Sequence, residues 1–340
     1  MKKALIQEFL HTLLFQLSYR FIQPQQATNE LVILFFNRTW GQPFDFQRLR
    51  VPPGVALTDN RWRFREAAAV VFHIPSLNWL YPLKKQAGQL WVAWSLESEA
   101  HYPQLCAPRF MSQFDLTMSY HQHADVVTSY FSYYGSTDNL KRALLEPPKP
   151  KTEENFVNLF VSSPHDKSGR REYATELMRY LDIHSYGKFL NNRSIQGDLW
   201  RPSKLSVIAN YKFTLAFENA ITPDYVSEKF FDPLVAGSVP VYLGAPNVED
   251  FAPGDRCFIN TADFDSPKAL AEYLLALNED DSAYQTYFTW KQKPLRPRFL
   301  RMLKEQQEEP FVRLCHKVKA IKQAGLITFH PLISRREVVR

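Results

Sequence analysis

The sequence contains few cysteines, and their arrangement suits neither a metal site nor a disulfide framework. Cys106, Cys257 and Cys315 are odd in number and lie far apart along the 340 residues. Small disulfide-stabilised folds and cysteine zinc modules both require closely paired cysteines. The spacing therefore excludes both classes, and it fits a chain that resides in a reducing compartment.

Short motifs that mark several common enzyme classes are also missing. Neither G-x-G-x-x-G after a strand nor G-x-x-x-x-G-K-[ST] occurs, which argues against dinucleotide oxidoreductases and P-loop enzymes. H-E-x-x-H is absent too, and His101, His121 and His123 have no partner at metal-ligand spacing. We interpret these histidines as surface or core residues and predict no metal site.

The N-terminal segment lacks the uninterrupted apolar run of a membrane span. A spanning helix needs about 20 mostly apolar residues, and a charge at its centre costs a few kcal/mol. Residues 4–22 are apolar overall, but polar residues interrupt them: Gln7, Glu8, His11, Gln16 and Arg20. Apolar residues recur every fourth position, at Leu5, Phe9, Leu13 and Leu17. We predict an amphipathic helix within residues 1–26, with a signal anchor as the alternative.

The positive charge of the chain is concentrated at its C-terminal end. Residues 291–340 contain 13 Lys and Arg against 4 Glu, a local excess of +9 in a chain whose net charge is +6. Apolar residues alternate with these charges at Phe299, Leu300, Leu303, Phe311, Leu314, Val318 and Ile321. Residues 299–340 are therefore interpreted as a basic, amphipathic tail that contacts a membrane surface. Nucleic-acid binding and a helix packed on the body are the alternatives.

The length and the pattern of apolar runs predict two α/β domains. Three runs are apolar throughout, as expected for strands in a sheet covered on both faces: Leu31–Phe36, Ala68–His73 and Leu90–Trp94. A proline-rich, charged stretch at residues 147–155 resembles a linker. We therefore predict an N-terminal domain over residues 27–150 and a second domain over residues 151–298.

The second domain alternates strands and helices. The predicted strands are Phe156–Val161, Phe213–Phe217, Val239–Leu243 and Cys257–Asn260. Ser168 is predicted to cap one helix, and Ser266-Pro267 to open another. Such alternation implies parallel sheets with right-handed crossovers. The predicted architecture is two doubly wound, Rossmann-like domains that face a cleft.

The strongest candidate site follows the strand Phe213–Phe217. Glu218 and Asn219 come directly after it, and ligands bind beyond the carboxyl ends of strands in open α/β sheets. Ser227, Glu228 and Lys229 then open a helix, whose N-terminus suits a phosphate group. An ordinary polar helix start explains the same residues. Asp263-Phe-Asp265 fits either a metal-binding D-x-D element or a helix start with favourable carboxylates.

Residues Tyr211–Gly244 closely resemble the donor-binding signature of the α-1,3/1,4-fucosyltransferases, glycosyltransferase family 10. The stretch reads YKFTLAFENAITPDYVSEKFFDPLVAGSVPVYLG, and it departs from the family at Ala220, where serine is usual. Weaker similarities lie upstream at residues 162–173, 94–98 and 115–120, and the resemblance covers about residues 88–318. It implies the two-domain GT-B fold and GDP-fucose as the donor substrate.

The resemblance also implies roles for individual residues. Arg170 and Lys229 would contact the diphosphate, Arg170 being preferred to Arg171 because of its spacing to Tyr173. The remaining donor-site residues would be Asn219, Tyr225 and Glu228 around the nucleotide, Glu218 orienting the loop, and Ser162. Inversion needs a base opposite the leaving group, and a carboxylate can serve as that base. By its place in the family pattern Glu97 would be the catalytic base, with Glu99 as the alternative.

The family further implies that no cofactor is required and that a divalent metal is at most stimulatory. The implied acceptor is an oligosaccharide or glycoconjugate, with O3 of N-acetylglucosamine in a lactosamine-type glycan expected and the 4-hydroxyl as an alternative. Nucleic acid is not an expected partner. The expected location is cytoplasmic or peripheral on an inner membrane, or the Golgi membrane if residues 4–22 act as an anchor. A transferase for another nucleotide sugar and a non-catalytic glycan- or membrane-binding relative are the competing functions.

Overall fold

A computed structural model describes residues 14–15, 30–77, 83–195, 197 and 200–325. Its strands are β1 (Leu31–Phe35), β2 (Val55–Thr58), β3 (Ala69–His73), β4 (Leu90–Ser95), β5 (Leu116–Ser119), β6 (Val126–Val127), β7 (Val157–Leu159), β8 (His184–Ser185), β9 (Phe213–Phe217), β10 (Val239–Leu243) and β11 (Ile259–Asn260). Its helices are α1 (Pro108–Met111), α2 (Thr137–Leu145), α3 (Arg170–Leu177), α4 (Arg201–Ile208), α5 (Glu228–Ala236), α6 (Pro267–Glu279), α7 (Asp281–Gln285), α8 (Pro297–Glu305) and α9 (Pro310–Gln323).

The chain divides into two compact units. Unit 1 combines the residues up to Thr128 with those from Glu308 onward, and unit 2 is Ser129–Gln307. The division falls at 128/129, whereas the proline-rich stretch had suggested 150/151. The physical reason lies in unit 2, where Gly237 approaches Pro148 so closely that a Cβ on Gly237 would lie 2.8 Å from Cα of Pro148. Lys151 Nζ also donates to the Ala209 carbonyl at 2.9 Å, so the predicted linker is bound to unit 2.

Unit 1 is built on a six-stranded sheet of order β2-β1-β3-β4-β5-β6, in which every pair is parallel. Successive residues of the central strands enter two different cores. Ile33 and Val71, for example, face one core, and Leu34 and Val70 face the other. This alternation confirms the prediction that the apolar runs form a sheet covered on both faces.

The apolar face of the basic tail is buried against the protein. Phe299 and Leu303 on α8 join a core of unit 2. On α9, Leu314 and Val318 join the core of unit 1, and the Phe311 ring lies 4.6 Å from that of Phe35. The face interpreted as a membrane contact is therefore covered by the chain itself, in agreement with the alternative of a packed helix.

Unit 2 contains a five-stranded parallel sheet of order β11-β10-β9-β7-β8. Helices α3 and α6 pack on one face, where Leu177 and Leu274 meet the side chains of β7, β9 and β10. Helices α2, α5 and α8 contribute to a second core that contains Ala216 and Tyr242. Strand β9 is the central strand of this sheet, and helices pack on both faces of the sheet. The carboxyl end of β9 therefore lies between two layers of helices.

The helix starts were predicted with mixed success. Ser266 accepts a hydrogen bond from the Ala269 amide at 3.2 Å and caps α6, as predicted. The residue before α3 is Gly169 with φ of 74°, so Ser168 is not the N-cap residue itself, but its hydroxyl does accept from the Arg170 amide at 3.3 Å. Asp166 accepts from more of the first amides, including Arg170 at 3.2 Å and Arg171 at 3.0 Å. A carboxylate accepts several amides at once, which a hydroxyl does less well.

The predicted N-terminal helix lies outside the described residues except for Leu14 and Phe15. Phe15 is buried, with its ring 5.4 Å from that of Phe36. Among the residues described, no helix combines the length and the apolar character that crossing a bilayer requires.

Candidate functional site

The carboxylate of Glu218 lies at the end of β9 and is fully buried. It accepts hydrogen bonds from the Ser227 amide and the Ser227 hydroxyl, each at 2.7 Å. Burial raises the pKa of this carboxyl, and the nearby charge of Lys229 opposes the increase. The interaction joins the strand end to the start of α5. The role predicted for Glu218, which is to orient this loop, stays a prediction.

Gly244, the last residue of the signature, lies against this clamp. A Cβ at position 244 would come within 2.6 Å of Cγ of Glu218 and 2.4 Å of the Tyr242 hydroxyl. Only glycine fits here without displacing the buried carboxylate. Gly244 therefore lies close to Glu218, which comes 26 residues earlier in the signature.

Ser227, Glu228 and Lys229 form the start of α5. The Ser227 hydroxyl caps the helix by accepting from the Lys229 amide. Lys229 Nζ lies 3.1 Å from Ser227 Oγ, 3.1 Å from Glu228 Oε1 and 3.6 Å from Glu218 Oε2. Although burial disfavours the Lys229 cation, the charges of Glu228 and Glu218 raise its pKa. A permanent cation thus stands at a helix N-terminus, where a phosphate group is also favoured.

Glu228 is held in its ionised form. Burial alone would raise the pKa of its carboxyl, but the cations of Lys229 and Lys204 lower it to about 2. The side chain is partly exposed, with 21% of its surface accessible. Its free acceptor positions can therefore receive hydroxyl donors such as those of a ribose.

Lys204 was not identified in the sequence, although it belongs to the same charge cluster. Its Nζ lies 2.9 Å from Oδ2 of Asp232, a carboxylate that is 1% exposed. Arg201 and the Tyr134 hydroxyl donate to Oδ1 of the same group, the tyrosine at 2.7 Å. The sequence offers one signal for this cluster, which is that Asp232 lies among the apolar residues of α5. An aspartate in that position predicts a buried carboxylate, and a buried carboxylate needs cationic partners.

Arg170, which is predicted to contact the diphosphate, is buried among the loops of unit 2. Its side chain is 1% exposed, and its guanidinium donates to the carbonyls of Phe217, Ser163 and His165 at 3.1–3.2 Å. The group therefore holds the loop after β7 against the end of β9. Arg171, the alternative, is exposed, and its guanidinium lies 4.6 Å from the Phe189 ring centroid.

The remaining predicted donor residues lie on the loops at the same edge of the sheet. The Asn219 carbonyl accepts from the Lys167 amide at 2.7 Å, which brings the loop after β7 beside the loop after β9. Tyr225 is buried, with its ring 6.3 Å from that of Tyr130. Ser162 is exposed, and its hydroxyl accepts from the Lys188 amide at 3.2 Å.

The predicted base belongs to unit 1. Glu97 follows β4, and its amide donates to the Ser95 hydroxyl at 3.0 Å. Glu97 and Glu99 both line a cavity of about 320 Å³ within this unit. Glu99 accepts from the Tyr120 hydroxyl, and His121 Nε2 lies 3.3 Å from its other oxygen. Burial raises the pKa of the Glu99 carboxyl, but these two partners lower it below its ordinary value overall.

The Asp263-Phe-Asp265 element is an exposed turn in the structure. Asp263 ends a 3-10 turn after β11, and Asp265 precedes the Ser266 cap of α6. Both side chains are exposed. This position fits the interpretation as a helix start, where negative charge is favourable.

Replacing Glu228 by Gln should remove a pH-dependent part of the free energy of unfolding. Its folded pKa of about 2 lies below the ordinary value of 4.5, so its contribution is complete above pH 4.5 and is lost as the pH falls towards 2. We expect E228Q to be about 2–3 kcal/mol less stable at pH 7 and equally stable near pH 2, by urea unfolding. Glu272→Gln, at an exposed ion pair with Lys268, is the control. A difference that persists at pH 2 would contradict the assignment.

Comparisons with known proteins identify a family and a fold for this chain. The pattern described as "Glycosyltransferase family 10 (fucosyltransferase) C-term" matches residues 149–329, and "Fucosyltransferase, N-terminal" matches residues 28–131. A crystal structure of an α1,3-fucosyltransferase with GDP-fucose shares the fold, with a TM-score of 0.55 at 15% identity over 91% of this chain and 94% of that one. The predicted GT-B fold class is thereby confirmed.

Two curated relatives have different named acceptors. Mouse GDP-fucose protein O-fucosyltransferase 3 is 35% identical over 65% of this chain and 47% of its own length. Mouse 4-galactosyl-N-acetylglucosaminide 3-alpha-L-fucosyltransferase 9 is 33% identical over 77% of this chain and 72% of its own length. The chain thus spans about half the length of the first of them. Because the two family patterns together cover most of the sequence, the chain belongs to glycosyltransferase family 10, the fucosyltransferases.

Proposed function

We propose that this protein transfers L-fucose from GDP-fucose to an acceptor hydroxyl with inversion at the anomeric carbon. The observation that carries the proposal is the cation of Lys229, held at the N-terminus of α5 by Glu218, Ser227 and Glu228. Membership of the family and the curated relatives named for fucosyl transfer support it.

In the donor half of the reaction, Lys229 and the first amides of α5 bind the diphosphate. When the bond between the anomeric carbon and the phosphate oxygen breaks, GDP leaves with the bonding electrons and gains negative charge. A fixed cation and helix N-terminus stabilise that charge without reorganisation. Glu228 binds the ribose, while Asn219, Tyr225 and Ser162 line the donor. Arg170 acts indirectly, because its guanidinium supports the loops beside the donor.

In the acceptor half, the Glu97 carboxylate takes the proton of the attacking hydroxyl as the new carbon–oxygen bond forms. Attack from the side opposite GDP inverts the configuration, and this requires a base on the acceptor side. Glu99 is the weaker candidate, because Tyr120 and His121 hold its carboxylate and keep its pKa low. A carboxylate stabilised in this way is a poorer proton acceptor.

We propose O3 of N-acetylglucosamine in a lactosamine-type glycan as the acceptor, as in the name of the 33%-identical relative. A hydroxyl of a protein side chain is the second candidate, because the 35%-identical relative is named as a protein O-fucosyltransferase. A panel of glycan and peptide acceptors, with the product linkage determined, distinguishes the two.

No metal takes part in this proposal, since Lys229 and the helix N-terminus supply the positive charge at the diphosphate. We expect initial rates with GDP-fucose to be unchanged by excess EDTA. Complete loss of activity that Mn²⁺ or Mg²⁺ restores would contradict this and would assign a catalytic role to Asp263 and Asp265 instead.

Replacing Glu97 by Gln should abolish turnover while leaving donor binding intact. The amide keeps the shape of the side chain but cannot accept the proton, so we expect kcat to fall by roughly 100-fold or more. Calorimetry should give a Kd for GDP-fucose equal to that of the wild type. Glu99→Gln is the matched control and should retain most of the activity.

Normal turnover by E97Q would exclude Glu97 as the base. The same assay with GDP-mannose and UDP-sugars tests the competing donors, because a transferase for another nucleotide sugar would use one of them in preference to GDP-fucose. A non-catalytic relative would turn over none of them.

Replacing Lys229 by Ala should weaken the binding of GDP by roughly tenfold or more, because a charge-assisted contact to the diphosphate is lost. Lys229→Arg keeps the charge and should recover part of the affinity. Lys268→Ala, on the exposed surface of α6, is the control for the loss of one lysine. Unchanged GDP affinity of a folded K229A protein in calorimetry would contradict the assignment.

A further inference from the structure

A tight turn in unit 1 places a tryptophan where a small residue is favoured. The Gln42 amide donates to the Thr39 carbonyl at 3.0 Å, and the two residues between them have positive φ, 52° at Trp40 and 78° at Gly41. This is the pattern of a type I′ turn, which favours Asn-Gly at these positions. A bulky residue with positive φ is strained, and such strain is frequent where a side chain is required for function.

The turn lies at the edge of the sheet where Glu97 also lies. Strands β1, β3 and β4 are parallel neighbours, so their carboxyl ends share one edge. Trp40 follows β1, His73 ends β3 and Glu97 follows β4. Ligands bind beyond this edge in open α/β sheets.

The Trp40 ring rests on a rigid support. Its centroid lies 5.6 Å from that of His73, and the two rings meet edge to face. Asn37 clamps His73 by donating to its carbonyl at 2.8 Å and accepting from its amide at 2.9 Å. The Ser76 hydroxyl donates to the Arg38 carbonyl at 2.7 Å and lies 2.6 Å from His73 Nδ1.

These contacts define the state of the imidazole. Because the Ser76 hydroxyl uses its own proton on Arg38, Nδ1 of His73 must be the donor to Ser76. Burial lowers the pKa of His73 to about 4, so the ring is neutral at physiological pH. The support beneath Trp40 is therefore uncharged.

Tyr102 links this aromatic surface to the proposed base. Its ring centroid lies 6.4 Å from that of Trp40, and both side chains are partly exposed. Burial raises the pKa of the Tyr102 phenol, and the negative charge of Glu97 raises it further. Trp40 and Tyr102 thus form an aromatic surface at the sheet edge where Glu97 also lies.

We propose that Trp40 and Tyr102 form the surface on which the acceptor sugar lies, so that one of its hydroxyls meets Glu97. A partly exposed indole presents a flat apolar face, which matches the C–H face of a pyranose ring, while the Tyr102 hydroxyl can bond to the polar rim of the sugar. The neutral support suits an uncharged sugar. The proposal rests on the proposed fucosyl transfer, and it selects a carbohydrate acceptor rather than a peptide.

Trp40→Asn tests the proposal, because asparagine suits the turn but removes the ring. With a lactosamine disaccharide glycoside as the acceptor, we expect W40N to raise the acceptor KM by roughly tenfold. The Kd for GDP-fucose should not change, and the thermal midpoint should be no lower than that of the wild type. Trp40→Phe keeps an aromatic face and should raise the KM only about twofold. Trp62→Asn removes an exposed indole elsewhere in unit 1 and should leave the KM unchanged.

An unchanged acceptor KM in folded W40N protein would overturn the assignment of the aromatic surface while fucosyl transfer stands. Transfer to a Ser/Thr peptide but not to the disaccharide would overturn the choice of a sugar acceptor. If the wild type releases no GDP from GDP-fucose with any acceptor, then the proposed function itself fails.

Discussion

The clamp between Glu218 and Ser227 is the interaction on which the arrangement of the proposed donor site depends. A fully buried carboxylate at a strand end accepts both hydrogen-bond donors of the residue that caps α5. Removing either partner would leave a buried charge or donor without compensation, which is far more costly than the pair itself is stabilising. The clamp therefore fixes where α5 begins, and with it the position of Lys229.

Other buried polar groups of unit 2 also hold loops and helices in fixed positions. The Asp232 carboxylate binds the side chains of Tyr134, Arg201 and Lys204. The Arg170 guanidinium donates to carbonyls in the loop after β7 and at the end of β9. Such groups contribute little net stability, because desolvation offsets most of their attraction. What they provide is a unique arrangement of loops, and the proposed diphosphate site requires that uniqueness.

The apolar runs predicted the central strands well, since strands buried on both faces are apolar at every position. Strands β2, β5, β6 and β8 were not predicted, because none of them contains more than three consecutive apolar residues. The unit boundary was predicted too late for a related reason. Proline and charge at residues 147–155 indicate a loop, but whether a loop connects two domains or packs on one depends on distant residues such as Gly237.

The sequence alone determined the features that depend on residues adjacent along the chain. These are the strand that ends at Phe217, the capped helix that begins at Glu228, and the signature that marks the family. Contacts between distant residues decided the rest. The lowered pKa of Glu228 depends on Lys229 and on Lys204, which lies 24 residues earlier. The Arg170 guanidinium donates to a carbonyl 47 residues away, and Trp40 lies beside Tyr102 at one edge of a parallel sheet. Electrostatic and packing energies act through space over a few ångströms, so they cannot be read from sequence spacing when the chain separates the partners by dozens of residues.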